Sequence, residues 1–383
     1  MGRFRVLIAG GGVAALEAAL ALRHLGEDRV SVALIAPEPK FWYRPLAVVE
    51  SFGLGHVHGI DLAQLADECG ALFVVDSLAS VDADPHLART SQSAELEYDF
   101  LLVATGARPV TAVPGAITFR GPADVEVFSK LLSSLRTRAP ARVVFTLPGG
   151  VAWPLPLYEL ALQTAAFLDV HSVTNVELAL VTPEEAPLGL FGANASAAVA
   201  DLLRRRRIEV HTGTYEVDAA DVVVALPRIT GVPVPGLPHD ASGFIPTDPN
   251  GHVHGLDDVF AAGDCTSFPI KQGGIAAQQA DAAAEAIAAA AGVPIEPEPF
   301  RPVLRGLLLT GEAPTFLRAE LGGGTGDTSV ATSELLWWPP GKIVGRYLAP
   351  FLAERAGAIL APPAGADAVA VDVELATSAK LSG

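Results

Sequence analysis

The residues best suited to chemistry form a glycine cluster near the start of the chain, Gly10-Gly11-Gly12-Val13-Ala14-Ala15. It reads G-x-G-x-x-A and lies between an apolar, β-rich run, Arg5–Ala9, and a stretch with helical spacing, Leu16–Leu25. The chemistry implied is dinucleotide binding. Gly10 permits a tight turn, and Gly12 lets the backbone approach a pyrophosphate. Ala15 is small enough for close helix–strand packing, and the helix start offers oriented N–H groups to the anion. An acid that accepts ribose hydroxyls belongs at the end of the second strand, Val30–Ala36. Ala36 holds that place, so the nearest carboxylate, Glu38, is the candidate, with a solvated loop charge as the competing reading.

Two further segments follow, Tyr98–Pro109 (YDFLLVATGARP) and Asp258–Gln279 (DVFAAGDCTSFPIKQGGIAAQQ). With the first motif, in this order and over residues 1–291, they resemble the two-dinucleotide-fold flavoprotein oxidoreductases, the pyridine-nucleotide–disulfide oxidoreductase superfamily. The resemblance implies FAD as cofactor. Ala104, Thr105 and Gly106 would cross between domains beside it, and Asp264, after Gly263, would bind its ribityl or pyrophosphate region. The helix that follows would aim its N-terminus at the flavin O2 side, where a positive helix end favours the negative charge of a reduced flavin. Tyr43-Arg44-Pro45-Leu46 and Lys271-Gln272-Gly273-Gly274 are most similar to the sulfide:quinone reductase and type II NADH dehydrogenase branch, where these segments lie close to the isoalloxazine. The resemblance thus assigns to the cofactor Gly10, Gly12, Val13, Ala14, Ala15, Glu38, Arg44, Pro45, Leu78, Ala104, Thr105, Gly106, Gly263, Asp264, Lys271, Gly273, Gly274 and Ile275. Lys271 is also the candidate catalytic group, stabilising an anionic flavin or a quinone oxygen; a surface lysine is the alternative.

Departures from the family pattern bear on the electron donor. Where a second fingerprint should bind NAD(P)H, the sequence has Leu147-Pro148-Gly149-Gly150-Val151-Ala152-Trp153-Pro154-Leu155-Pro156. Proline removes N–H donors that a pyrophosphate would use, and the tryptophan is expected to crowd the approach, so NAD(P)H is disfavoured there unless its binding mode is modified. Glu159 does match the family's helix glutamate. The two cysteines, Cys69 and Cys265, lie far apart and form no redox pair, which argues against disulfide reduction and sulfide oxidation. His56-x-His58 and His252-x-His254 lack a third ligand, and no metal site is expected.

The elements that must position these residues read as two βαβ halves, an α/β architecture of two Rossmann-like domains with the second inserted in the first. The expected FAD domain is 1–111 with 237–300, the second domain is 112–236, a C-terminal interface or lid region spans 301–360, and 361–383 is a mobile tail. Of the 383 residues, 26 are Lys or Arg and 43 Asp or Glu, giving a net charge of −17. Such a chain repels phosphate backbones and is not expected to bind nucleic acid. It shows no signal segment and no spanning run, and its few cysteines suit a reducing cytoplasm. In Glu334–Glu354, Trp337, Trp338, Leu348, Phe351 and Leu352 cluster beside Lys342 and Arg346. Such a stretch suits peripheral membrane contact, or equally a dimer interface or a cover over the flavin.

The expected function is an FAD-dependent oxidoreductase passing electrons from a small donor to a quinone or other acceptor. Two alternatives stay open: an NAD(P)H:acceptor reductase with a modified nicotinamide site, and a flavin-bearing binding or regulatory partner without efficient turnover.

Overall fold

The computed structural model describes residues 2–26, 28–137, 140–321, 328–357 and 367–368. Phe4–Ala9 lies at the centre of a parallel sheet. The strand order across it is Val259–Ala261, Phe100–Val103, Phe4–Ala9, Val30–Ala36, Ala71–Val75. Central strands of such a sheet are covered on both faces and therefore read as unbroken apolar runs; all four residues of Phe100–Val103 are buried. The helix Val13–Gly26 covers the sheet together with Gly273–Ala290, a helix that arrives from far along the chain. Their shared core is rich in alanine, including Ala14, Ala15, Ala18, Ala276, Ala280 and Ala283, so the two axes approach closely.

A second parallel sheet repeats the plan in the order Ile117–Thr118, Val222–Ala225, Ala141–Thr146, Val176–Val181, Ile208–His211. Its central strand leads to the helix Leu155–Val170, and Ala193–Arg205 follows the next strand. The chain enters and leaves this unit through an antiparallel pair, Arg108–Val110 with Arg228–Thr230. The α/β class with two such units is as the sequence implied. Two antiparallel pieces were not legible from periodicity: the meander Leu78–Asp82, Leu87–Thr90, Glu95–Glu97, and the C-terminal sheet Val303–Leu308, Thr315–Glu320, Val330–Thr332. The expected tail over 361–383 lies outside the described residues except for Asp367–Ala368, which pair with Trp337–Trp338.

In the segment 334–354, the structure favours the covering role among the alternatives that the sequence left open. Trp337 and Leu348 are fully buried and Phe351 and Tyr347 nearly so, and they pack inside the chain instead of forming an exposed apolar surface. The segment closes over both nucleotide folds. The side chain of Glu17, buried in the first helix, accepts N–H bonds from Tyr347 (2.7 Å) and Leu348 (2.8 Å), capping the helix Leu348–Arg355. Gly345 passes so close to Glu17 that a Cβ there would lie 2.2 Å from its Oε2.

The carboxyls of Glu17 and of Asp281 on the facing helix interact, and Asp281 Oδ1 is buried without a hydrogen-bond partner. Burial raises both carboxyls above their ordinary range, and the charge of Glu17 raises Asp281 further; Arg346, itself bonded to Glu285 at 3.0 Å, opposes this. A group whose folded pKa is raised stabilises the fold fully below its unfolded value of roughly 4 and loses that contribution as pH climbs through the folded value. Asp281→Asn keeps an amide beside Glu17 and removes the titration of Asp281. Chemical denaturation from about pH 5 to about pH 9 should show the variant gaining on the order of 1–3 kcal/mol relative to the native chain. Superimposable pH profiles would remove Asp281 as a group whose titration is linked to folding.

Candidate functional site

The first strand ends in a turn that only glycine allows. Gly10 has φ of 148°, and a Cβ added there would sit 2.1 Å from the Ala104 carbonyl oxygen. Its N–H donates to Ile35 O (2.8 Å), and Ala104 N–H donates to Ala9 O (2.8 Å), tying the turn to both neighbouring strands. Gly11 is enclosed by Leu62 and Ala36, whereas a Cβ on Gly12 would meet nothing within 4 Å. The glycine that should face a ligand thus faces open space, at the N-terminal turn containing Val13, Ala14 and the buried Ala15. Residues that follow the other strands gather at this end of the sheet. Glu38, Arg44 and Thr105 are exposed, while Pro45, Leu78 and Gly106 are half-buried. Gly106 adopts φ of 72°.

The opposite wall begins at Gly263, with φ of 84°, whose N–H donates to Gln279 Oε1 (2.8 Å). Asp264 follows. Burial pushes its carboxyl up, against the opposing pull of the Lys271 and Arg44 charges, so the Tyr43–Leu46 segment and the third motif meet electrostatically here. Lys271 lies within the loop. Its ammonium donates to the carbonyls of Thr266 and Phe268 (2.7 Å to the latter) and sits 3.9 Å from the centre of the Phe244 ring. Burial lowers its pKa, and Asp264 raises it. These bonds shape the Asp264–Lys271 loop. Gln272 Oε1 caps the next helix by accepting from Ile275 N–H (2.9 Å), with Gly273 and Gly274 ahead of it at the helix end. Cys265 and Cys69 are free and buried; burial pushes the Cys265 thiol up to about 11 and Cys69 up to about 12.

The second unit corrects the reading of its turn. Trp153 rotates into the core against Phe191, with ring centroids 5.9 Å apart, and does not line the neighbouring cavity. That cavity, about 910 Å³, is bordered by Gly150, Pro154, Glu184, Gly192, Ser196 and Ile270, among others. Pro154 precedes the helix Leu155–Val170 without a side-chain cap, as expected for a turn poor in donors. Glu184 was not singled out from sequence, although a signal existed: Ala179-Leu180-Val181-Thr182-Pro183-Glu184 parallels Ala33-Leu34-Ile35-Ala36-Pro37-Glu38. The two glutamates follow equivalent strands. Unlike exposed Glu38, Glu184 bonds to Tyr158 OH (2.5 Å) and Thr182 Oγ1 (2.9 Å), and burial raises its carboxyl. Also missed was the pairing of Glu159 with Lys342, whose Nζ lies 2.6 Å from both carboxylate oxygens. Among the described residues, no three His, Cys, Asp or Glu side chains group as a metal site, and no helix is long and apolar enough to cross a membrane.

The pyridine nucleotide-disulphide oxidoreductase family model matches residues 4–226. A sulfide-quinone reductase of Aquifex aeolicus (strain VF5) is 28% identical over 215 residues, 53% of this chain and 49% of that protein. A rhodocoxin reductase of Rhodococcus erythropolis is 25% identical over 302 residues, 69% of this chain and 65% of that protein. These alignments thus span about half to two thirds of the relatives' lengths. Among solved structures, the sulfide:quinone oxidoreductase of Aquifex aeolicus superposes with a TM-score of 0.77, at 22% identity and over 86% of each chain. An NDH2 from Plasmodium falciparum in complex with NADH gives 0.54, at 16% identity and over 69% of this chain and 65% of that one. At these identities the structures speak for the fold.

The contrast between Gly10 and Gly12 is testable. Gly10→Ala should cost on the order of 3 kcal/mol of stability, because both the dihedral and the Ala104 carbonyl oppose it. Gly12→Asp should leave the cofactor-free protein within about 1 kcal/mol of native while abolishing retention of a bound dinucleotide. Urea titration and cofactor absorbance measure the two effects; equal destabilisation by both would remove Gly12 from the binding surface.

Proposed function

The chain belongs to the pyridine nucleotide-disulphide oxidoreductase family, and from that premise we propose that it is an FAD-dependent oxidoreductase that passes electrons from a small donor to a quinone or another acceptor. The observation that carries this reading is the unfilled space at Gly12, beside a turn that Gly10 and Ala104 hold tightly closed. When bound, FAD supplies the redox relay between donor and acceptor. The chain's own residues hold and bias it. Gly10, Gly12 and the N-terminal turn at Val13–Ala15 take the pyrophosphate, Glu38 accepts from ribose, and Asp264 holds the ribityl side. Arg44 and Lys271 offset the charge of Asp264, and the helix end at Gly273–Ile275 favours negative charge on the ring. Lys271 acts here through the loop it fixes and through its field.

A second reading concerns the donor, and the cavity beside Gly150 favours it. With Trp153 turned away, the space admits a nicotinamide dinucleotide, and pockets of roughly 300–1,000 Å³ suit ligands of this class. The carboxylate of Glu184 at the strand end suits ribose hydroxyls and repels a 2′-phosphate, so NADH is the donor and NADPH a poor substitute. Pro154 and Pro156 withhold N–H groups, and recognition relies correspondingly less on the pyrophosphate.

Anaerobic absorbance titration tests both readings. The purified protein should carry FAD and lose its band near ~450 nm with NADH, requiring at least about tenfold more NADPH for the same bleaching. A band that neither nucleotide changes discards the nicotinamide donor. A colourless protein that takes up no added FAD discards the flavin reading.

A further inference from the structure

Glu159 and Lys342, 183 residues apart, form a buried ion pair with side-chain exposures of 0% and 9%. Glu159 Oε1 also accepts from Leu309 N–H at 2.9 Å, so the carboxylate is well satisfied. Burying two charges stabilises a fold poorly, because desolvation offsets much of their attraction; what a well-bonded pair supplies is a fixed arrangement.

On one side, Glu159 stands one turn into the helix Leu155–Val170, whose preceding Pro154 borders the second-fold cavity. On the other, Lys342 is covalently joined to two contacts at the opposite crevice. Ile343 N–H donates to Tyr43 OH at 3.0 Å, and Ile343 Cγ1 lies 3.0 Å from where a Cβ on Gly273 would be. Gly341 also approaches Tyr43, leaving 3.3 Å between a Cβ there and the hydroxyl. Tyr43 precedes Arg44 and Pro45, and Gly273 begins the helix Gly273–Ala290. The segment is pinned at its ends by Trp337 Nε1–H donating to Gly341 O (3.1 Å) and by Glu17 at Tyr347 and Leu348. Between those pins, Lys342 ties it to the second nucleotide fold.

We propose that Lys342 is a positioning residue: clamped on Glu159, it holds Ile343 and Tyr43 against the N-terminal turn of the helix Gly273–Ala290, so that the second nucleotide fold sets the wall of the first fold's crevice. The inference rests on reading that crevice as the FAD site. Lys342 acts through its neighbours, and its loss shows at Tyr43 and Gly273 as well as in overall stability.

The test uses the full-length protein, with amide hydrogen exchange over 341–347 and the FAD dissociation constant as readouts. Lys342→Met should speed exchange at Ile343 at least about tenfold and weaken FAD about fivefold or more. Adding Tyr43→Phe to it should change FAD affinity little further, because the contact that Tyr43 makes is already lost. The double variant Glu159→Gln/Lys342→Met removes the unpaired buried carboxylate. It should regain much of the melting temperature while Ile343 stays unprotected, and it carries the same measurements if Lys342→Met alone does not fold. Exchange at Ile343 and FAD affinity both within about twofold of native, despite lowered stability, would overturn the proposal, as would strictly additive effects with Tyr43→Phe. If the native protein takes up no FAD, the flavin reading fails by itself. Exchange at Ile343 in the variant then decides the clamp.

Discussion

One close approach governs the crevice. Gly263 sits where the helices Val13–Gly26 and Gly273–Ala290 converge, and a Cβ on it would lie 3.1 Å from the Ala14 methyl and 3.4 Å from the Ala276 methyl. The chain passes between two helices that themselves pack on alanine, so there is room for backbone and little else. Because the helices meet there, both begin at the same end of the parallel sheet. Their N-terminal turns then face one crevice, and their dipoles act on the same volume. Gln279 completes the arrangement from within the second helix by accepting the Gly263 N–H.

The remaining walls come from elements that share no sequence neighbourhood. The loop Asp264–Lys271 is shaped by an ammonium bonded to its own carbonyls, which places a cation near Asp264 without directing it toward solvent. The C-terminal segment reaches the first helix through Glu17 and the second fold through Lys342. In each case a buried charge is matched by partners of the opposite hydrogen-bonding sense at bonding distance, consistent with the high cost of leaving such groups unpaired. The polar groups therefore specify how three units sit together, while the apolar cores of the two sheets supply the cohesion.

The two nucleotide folds share a plan and differ in finish. In the first, the glycine turn is open at Gly12, where a Cβ would meet nothing within 4 Å. In the second, two prolines reduce the donors at the turn, and the cavity is kept clear of Trp153, whose ring packs against Phe191. An indole gains more from edge-to-face packing in a core than from lining a wet opening. The strand-end glutamates diverge as well, Glu38 exposed and Glu184 held by a tyrosine and a threonine.

The sequence alone determined the two-unit α/β plan and the nucleotide turn, because both are local. Strand, glycine turn and helix follow one another within some thirty residues, and their periodicity and backbone demands are written in residue type. The small residues at positions 10, 12, 15 and 263 carry that information directly. Only the tertiary structure decided the direction of Trp153, the burial of Trp337, and the pairings of Lys342 with Glu159 and Glu17 with the 347–348 backbone. A tryptophan beside a lysine reads as an amphipathic surface when only its neighbours in sequence are known. The lysine's partner, Glu159, stands 183 positions away, and the bonds of the 347–348 backbone to Glu17 span up to 331; one sequence holds no local signal for such contacts.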